Sequence, residues 1–220
     1  AYQSGVDRVV SLLSTCVYPD KATYPLTEDQ IHGGPPHQSN FGYAYAKRML
    51  DVQSQAYRQQ YGCNFITAIP NNLFGENDNY DLENSHVIPA ITRKMYEAQQ
   101  QRKNVALWGD GSPLREFTYS VDLVRALLLL LEGYNEPAPI NIGNTMEVSI
   151  KSVAEKIAEK IGFEGEIVWQ KEMPSGQYRK PSDNSKFQRD FKMEYTDFDG
   201  ALTKTCKWFI MNYPKLRGVR

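Results

Sequence analysis

The sequence predicts an α/β fold with a parallel sheet, and three observations support this prediction. Strand-like segments alternate with helix-like segments up to residue 148, which is the order of βαβ units. The strand-like segments, such as "DRVVSLLST" near the start, are almost continuously apolar, as in strands buried between helices. Glycines follow predicted helices and strands, at points where the chain must turn.

The predicted elements follow in a regular order. After the first strand, a helix is predicted from about Tyr43 to Tyr61 and ends at Gly62, and "NFITAIP" gives a second buried strand. The next elements are a helix near Val87 to Gln101, a strand "VALWG", a strand and an apolar helix in "FTYSVDLVRALLLLLEGY", and a strand "PINIG".

From residue 149 the sequence indicates a smaller α/β lobe. Ser149 can cap the helix "IKSVAEKIAEKIG", in which apolar residues recur every four positions before Gly162. A strand "EIVWQ", a basic polar loop "PSGQYRKPSDNSK" and a last helix near Asp197 to Tyr213 follow. We therefore expect one domain over residues 1–78, with a return of the chain near 118–146, and a second domain over residues 79–220.

The composition argues against several classes of partner. A formal charge of -1 and a pI near 6.4 give no basic field for nucleic acid. The longest apolar run, Ala126 to Leu131, is far shorter than the roughly 20 residues that span a bilayer. The three cysteines, Cys16, Cys63 and Cys206, show no CxxC spacing, which favours a reducing compartment over disulfides or a metal site. We expect a cytoplasmic protein that binds neither nucleic acid nor membrane.

Tyr43 and Lys47 form the strongest candidate for chemistry. They are four residues apart in a predicted helix, so the phenol and the ammonium lie on one face. A nearby cation favours the phenolate and lowers the pKa of a tyrosine, which makes it a usable proton donor near neutral pH. The alternative is a core ring beside a solvated charge, as on many helices.

Ser14 and Cys16 follow the first predicted strand, where α/β folds place their active sites. If the strand stays extended, residues two apart project to the same side. The alternatives are a hydroxyl that forms a turn and an inert buried thiol.

Ser14, Tyr43 and Lys47 together resemble the Ser, Tyr and Lys triad of the extended short-chain dehydrogenase/reductase family. The segments "STCVYP", "YAYAK", "IPNNLFGENDN", "NSHVIPA" and "WGDGSPLREF" extend the resemblance over essentially the whole chain. The resemblance implies a Rossmann-type parallel sheet and a smaller α/β substrate-binding lobe. No GxxGxxG or GxGxxG turn occurs, so the chain is expected to match the C-terminal two-thirds of a family member, with a sheet that lacks its N-terminal strands.

The same resemblance implies an NADP(H)-dependent epimerase and reductase acting on a GDP-sugar, GDP-4-keto-6-deoxymannose. Cys16 and His86 would be the acid/base pair that inverts carbons 3 and 5. Tyr43 would protonate the oxygen at carbon 4 after hydride transfer. Lys47 would lower the pKa of Tyr43 and bind the nicotinamide ribose, and Ser14 would bind the carbonyl oxygen.

Further contacts are implied by the resemblance alone. The expected cofactor-binding residues are Tyr43, Lys47, Pro70, Asn72, Leu73 and His86. The expected substrate-binding residues are Val87, Lys94, Trp108, Arg115 and Lys180. The resemblance also implies a homodimer that pairs through the helix bearing Tyr43 and Lys47.

Two other interpretations stay open at this point. A chain that lacks the first strands could be a non-catalytic product that binds or regulates a full-length enzyme. Alternatively, the chain could be another nucleotide-sugar epimerase or dehydratase, although "STC" together with "NSHVIP" argues against this.

Overall fold

The computed structural model describes residues 1–173 and 177–219, which form two compact units. Unit 1 combines residues 1–73, 121–145 and 180–195, and unit 2 combines the described parts of 74–120, 146–179 and 196–220. In chain order the elements are β1 (Arg8–Leu12), α1 (Phe41–Tyr61), β2 (Asn64–Pro70), β3 (Asn72–Phe74), α2 (Val87–Gln100), β4 (Val105–Trp108), β5 (Leu114–Tyr119), α3 (Ser120–Gly133), β6 (Ile140–Ile142), β7 (Glu147–Ser149), α4 (Ile150–Ile161), β8 (Ile167–Gln170), α5 (Ser185–Phe191) and α6 (Phe198–Asn212).

Unit 1 is built on a parallel sheet with the strand order β1-β2-β6. The middle strand β2 is buried along nearly its whole length, as its continuous apolar sequence predicts. Leu12 of β1 lies opposite Ala68 of β2, and Ala68 lies opposite Ile140 of β6. The carboxyl ends of these strands therefore meet at one edge of the sheet, which confirms the predicted α/β fold with a parallel sheet.

Unit 2 contains the strands β4, β5, β7 and β8 and the helices α2, α4 and α6, of which α2 and α6 pack on α4. β4 and β8 pair in parallel, whereas β5 and β7 pair antiparallel, with Leu114 opposite Ser149. The antiparallel pair departs from the parallel pattern expected up to residue 148. A three-residue strand such as β7 is too short to show periodicity in the sequence. Helices α2, α4 and α6 enclose a core that includes Met95, Ile157 and Leu202.

The helix ends follow the predicted signals. Gly62 and Gly162 take left-handed backbone angles after α1 and α4, with φ of 67° and 69°. The Ser149 side chain accepts a hydrogen bond of 3.0 Å from the backbone N–H of Ser152, and Asp197 caps α6 in the same way. Among the described residues, no helix has both the length and the apolar character that a membrane crossing needs.

Residues 180–195 belong to unit 1, whereas the sequence analysis placed them in the second domain. They contain α5, which lies partly within the predicted basic loop; residues 174–176 of that loop lie outside the described residues. Phe187 of α5 is fully buried in the apolar core of unit 1, where Phe191 also packs. Phe187 and Phe191 are the apolar residues of this seven-residue helix, and the sequence around them is polar. Two apolar positions are too few to show a helical period, so the sequence did not predict α5.

Candidate active site

The carboxyl end of β1 supports the first group of predicted site residues. The backbone N–H of Leu13 donates a 2.8 Å hydrogen bond to Ala68 O, so β1 and β2 stay paired up to this edge. Ser14 follows directly, and Pro70 ends β2 at the same edge. Pro70 is buried, Leu73 packs on the apolar core of unit 1, and the side chain of Asn72 is exposed.

Ser14 begins a 3-10 turn over Thr15–Val17. Its Oγ accepts a hydrogen bond of 3.3 Å from the backbone N–H of Cys16. The strand does not stay extended as far as Cys16, so the condition under which Ser14 and Cys16 would project to the same side is not met, and the alternative of a turn-forming Ser14 hydroxyl applies. The hydroxyl and the partly buried thiol are instead held within a single turn.

Tyr43 and Lys47 lie in the first half of α1, next to this strand end. Lys47 Nζ donates a 2.8 Å hydrogen bond to the carbonyl oxygen of Leu12 and lies 5.8 Å from the centroid of the Tyr43 ring. Tyr43 is 51% exposed, so its ring is open to a ligand. The structure thus brings Tyr43 and Lys47 together at the strand end that leads into the Ser14 turn.

These side chains fit the nicotinamide end of NADP(H). An ammonium held at the strand end by a backbone carbonyl, with an exposed phenol beside it, offers donors for a ribose and for a carbonyl oxygen. Asn72 is exposed at the same edge.

His86 and Val87 lie in unit 2, at the start of α2. His86 occupies the N-cap position, where its backbone oxygen accepts from Ala90 N at 3.0 Å. Its exposed imidazole makes no capping hydrogen bond within the described part of the chain. Cys16 and His86 belong to different units, so their action as a pair stays a prediction.

Asp78 is a neighbour of His86 that the sequence analysis missed. Burial raises the pKa of its carboxyl, and the nearby His86 and Arg217 act in the opposite direction. A shifted carboxyl beside a predicted acid/base group is typical of functional sites. In the sequence Asp78 is one of several acidic residues in a polar loop, and nothing there distinguishes it from the others.

Lys94 and Trp108 meet in unit 2. Lys94 Nζ lies 5.6 Å from the centroid of the Trp108 ring, and Trp108 is 58% exposed although it lies in a strand. An exposed indole is unusual for a structural tryptophan and offers a flat surface for a base.

The remaining predicted substrate contacts lie in separate units. Arg115, half-buried on β5 of unit 2, donates a 2.7 Å hydrogen bond to Leu114 O. Lys180 is half-buried in unit 1. The structure therefore brings Lys94 and Trp108 together, whereas a joint action of Arg115 and Lys180 stays a prediction.

The NAD dependent epimerase/dehydratase family matches residues 1–143. The chain belongs to this family. The chain is 43% identical over 215 residues to the GDP-L-fucose synthase of Dictyostelium discoideum, covering 96% of this chain and 67% of that protein. The GDP-L-fucose synthase of Escherichia coli (strain K12) is 32% identical over 228 residues, which cover 99% of this chain and 71% of that protein.

A solved structure has the same fold as this chain. The crystal structure of a GDP-L-fucose synthetase from Naegleria fowleri bound to NADP superposes with a TM-score of 0.96 at 42% identity, over 98% of this chain and 70% of that one. The chain thus spans about two thirds of the length of these relatives. The resemblance based on Ser14, Tyr43 and Lys47 and the expected Rossmann-type fold are both confirmed.

Proposed function

We propose that the protein catalyses NADPH-dependent 3,5-epimerisation and 4-reduction of GDP-4-keto-6-deoxymannose to GDP-L-fucose. The observation that supports this most strongly is the Tyr43–Lys47 pair, anchored to Leu12 O at the strand end that leads into the turn holding Ser14 and Cys16. The similarity to GDP-L-fucose synthases over nearly the whole chain supports the choice of substrate.

Epimerisation uses the acidity that a ketone at carbon 4 gives to the protons on carbons 3 and 5. One member of the Cys16–His86 pair removes a proton from one face, and the other member delivers a proton to the opposite face, so the composition of the sugar is unchanged. Thiol and imidazole have ordinary pKa values within about two units of neutrality, which suits reversible transfer. Ser14 donates a hydrogen bond to the oxygen at carbon 4 and stabilises the enolate.

Reduction takes place at the same carbonyl carbon. When bound, NADPH supplies a hydride to carbon 4. Tyr43 donates its phenolic proton to the new alkoxide oxygen, and the Lys47 ammonium stabilises the phenolate that remains. Lys47, Pro70, Asn72 and Leu73 position the nicotinamide end.

The nucleotide part of the substrate requires cations and a flat surface. Trp108 and Lys94 are proposed to contact the base, and Val87 is proposed to line the same pocket. Arg115 and Lys180 bind the diphosphate oxygens and the sugar through charge-assisted hydrogen bonds. His86 contacts both substrate and cofactor.

A homodimer in the cytoplasm is part of the same proposal. Phe41, Tyr45, Met49 and Val52 form a stripe along α1 and are each about half exposed. An exposed apolar stripe of this kind suits a second copy of the same helix. Three free thiols, Cys16, Cys63 and Cys206, suit a reducing compartment.

The decisive experiment is proton exchange. The protein is incubated with GDP-4-keto-6-deoxymannose in deuterated water, with and without NADPH, and deuterium at carbons 3 and 5 is followed by NMR. We expect exchange in both samples and GDP-L-fucose only with NADPH. The variant Cys16→Ser should lose exchange and still bind NADPH, whereas the control Cys63→Ser should behave as the parent protein. Inversion at carbon 4 alone, unaffected by Cys16→Ser, would indicate a simple 4-epimerase instead.

A further inference from the structure

Arg48 follows Lys47 on α1, yet it is buried, with only 6% of its surface exposed. No carboxylate among residues 1–173 and 177–219 forms an ion pair with Arg48. Burying a charge without a counterion is unfavourable unless hydrogen bonds compensate it, and burial lowers the pKa of this guanidinium. Its position therefore calls for an explanation.

The hydrogen bonds of Arg48 all lead to loop backbone. Nε donates to the carbonyl oxygen of Val17 at 2.7 Å, and Nη1 donates to the carbonyl oxygen of Gly34 at 2.8 Å. Nη2 is buried and has no hydrogen-bond partner among the described residues. An apolar side chain of similar volume would avoid this unsatisfied donor, so stability alone does not account for an arginine here.

Val17 closes the turn that contains Cys16. Its backbone N–H donates to Ser14 O at 2.9 Å, so Ser14, Cys16 and Val17 belong to one hydrogen-bonded turn. Lys47 holds the chain just before this turn through Leu12 O, and Arg48 holds the last residue of the turn through Val17 O. Two adjacent residues of α1 thus fix both sides of the turn.

We infer that Arg48 is a positioning residue for the Cys16 thiol, which it holds in place through Val17 O without touching the substrate. The inference rests on the proposed function in assigning proton transfer to Cys16. Its mechanical part, that Arg48 restrains the turn, can be tested without substrate.

The test uses the reactivity of Cys16 toward iodoacetamide, measured by mass spectrometry against Cys63 in the same molecule. Arg48→Met removes both carbonyl contacts, and Arg48→Lys keeps a cation that cannot reach both carbonyls at once. Arg93→Met is the matched control, because Arg93 also donates to two backbone carbonyls, those of Tyr80 and Gly218, but in unit 2. Alkylation of the fully buried Cys206 reports any global unfolding.

We expect Arg48→Met to raise the Cys16 to Cys63 ratio by about tenfold, as the loss of a charge-assisted hydrogen bond predicts, and Arg48→Lys to raise it by about threefold. Arg93→Met should leave the ratio within about twofold of the parent protein. With substrate, deuterium exchange at carbons 3 and 5 should fall by about tenfold in Arg48→Met.

The inference is overturned if the ratio of Cys16 to Cys63 alkylation in folded Arg48→Met stays within about twofold of the parent value. If Arg48→Met does not fold, the same criterion applies to Arg48→Lys. An equal rise in Arg93→Met would also overturn it. If the parent protein itself shows no deuterium exchange, the proposed function fails, and the alkylation ratio still decides whether Arg48 holds the turn.

Discussion

Lys47 Nζ donates a hydrogen bond of 2.8 Å to the carbonyl oxygen of Leu12, the last residue of β1. This bond fixes the ammonium at the end of the strand, 5.8 Å from the ring of Tyr43. A side chain as flexible as lysine would otherwise lose considerable entropy when it became ordered on ligand binding. The backbone carbonyl therefore pre-orders the cation that the proposed chemistry requires.

Replacing Lys47 with methionine should lower the kcat of NADPH-dependent reduction by about 10²- to 10³-fold, because the cation beside Tyr43 is lost. The measurement is the rate of NADPH oxidation in the presence of the keto-sugar. Lys151→Met, which changes an exposed lysine of unit 2, is the control and should be neutral. A decrease of less than about tenfold would remove Lys47 from the proton-transfer step.

Trp108→Ala should weaken GDP binding by about tenfold, because the variant lacks the exposed indole on which the base is proposed to stack. The dissociation constant for GDP is measured by titration calorimetry. The control is Tyr61→Ala, which removes an aromatic ring of similar exposure in unit 1. Equal affinities for the parent protein and the Trp108 variant would place the base elsewhere.

Asp78→Asn should raise the midpoint of thermal unfolding at neutral pH. Burial raises the pKa of Asp78 above its ordinary 3.8, so the native state binds the proton more tightly than the unfolded state does. The parent protein therefore loses stability as the pH rises through the interval between the ordinary and the raised pKa, whereas asparagine stays neutral. Its side-chain oxygen can still accept from Asn79 N.

The difference in unfolding midpoint between Asp78→Asn and the parent protein should disappear at a pH well below 3.8, where Asp78 is protonated in both the native and the unfolded state. Asp110→Asn provides a control of opposite sign, because hydrogen bonds from Ser112 lower the pKa of Asp110. That variant should be less stable at neutral pH, with the difference lost as the pH falls through the lowered pKa. A destabilised Asp78→Asn at neutral pH would contradict the assigned direction.

Gly218→Ala should destabilise the protein by about 3 kcal/mol, through both backbone strain and overpacking. Gly218 has a φ of 82°, and an added Cβ would meet Asn79 and Asp81 in the loop that leads to His86. Gly162→Ala is the matched control, with a φ of 69° and open space around it, and should lose only about 1 kcal/mol. Denaturant unfolding measures both, and equal losses would mean that the contact with Asn79 and Asp81 is unimportant.

Met49→Glu should dissociate the proposed homodimer, because it puts a charge into the apolar stripe on α1. Sedimentation velocity distinguishes monomer from dimer. Leu128→Glu adds the same charge at an equally exposed apolar position on α3 and should leave the dimer intact. A monomeric parent protein, or dissociation by both variants alike, would argue against pairing through α1.

The sequence predicts elements best where a residue has one physical role. Gly62 ends α1 because few other residues accept its left-handed backbone, and Ser149 caps α4 through a short-range bond. The three-residue β7 and the seven-residue α5 were missed because each is fixed by distant partners: β7 pairs with β5, and Phe187 of α5 lies in the core of unit 1.

The same distinction applies to the candidate site. Tyr43 and Lys47 are recognisable because helical spacing alone places them on one face. The sequence left two orientations of Ser14 open, because a serine hydroxyl can project from an extended strand or cap the turn that follows it, and only the structure distinguishes the two. The contacts by which Lys47 and Arg48 hold the turn reach the carbonyl oxygens of Leu12 and Val17, which lie 35 and 31 residues earlier in the chain, and no local sequence pattern predicts them.

The chain passes between the two units five times, after residues 73, 120, 145, 179 and 195. Neither unit is therefore a continuous stretch that could be cut out and expressed by itself. During synthesis on the ribosome, unit 1 cannot complete its core until Phe187 has left the exit tunnel, long after β1 has emerged. Between these two events the apolar strands β1 and β2 lack part of the core that covers them, so this connectivity predicts that the nascent chain benefits from chaperones.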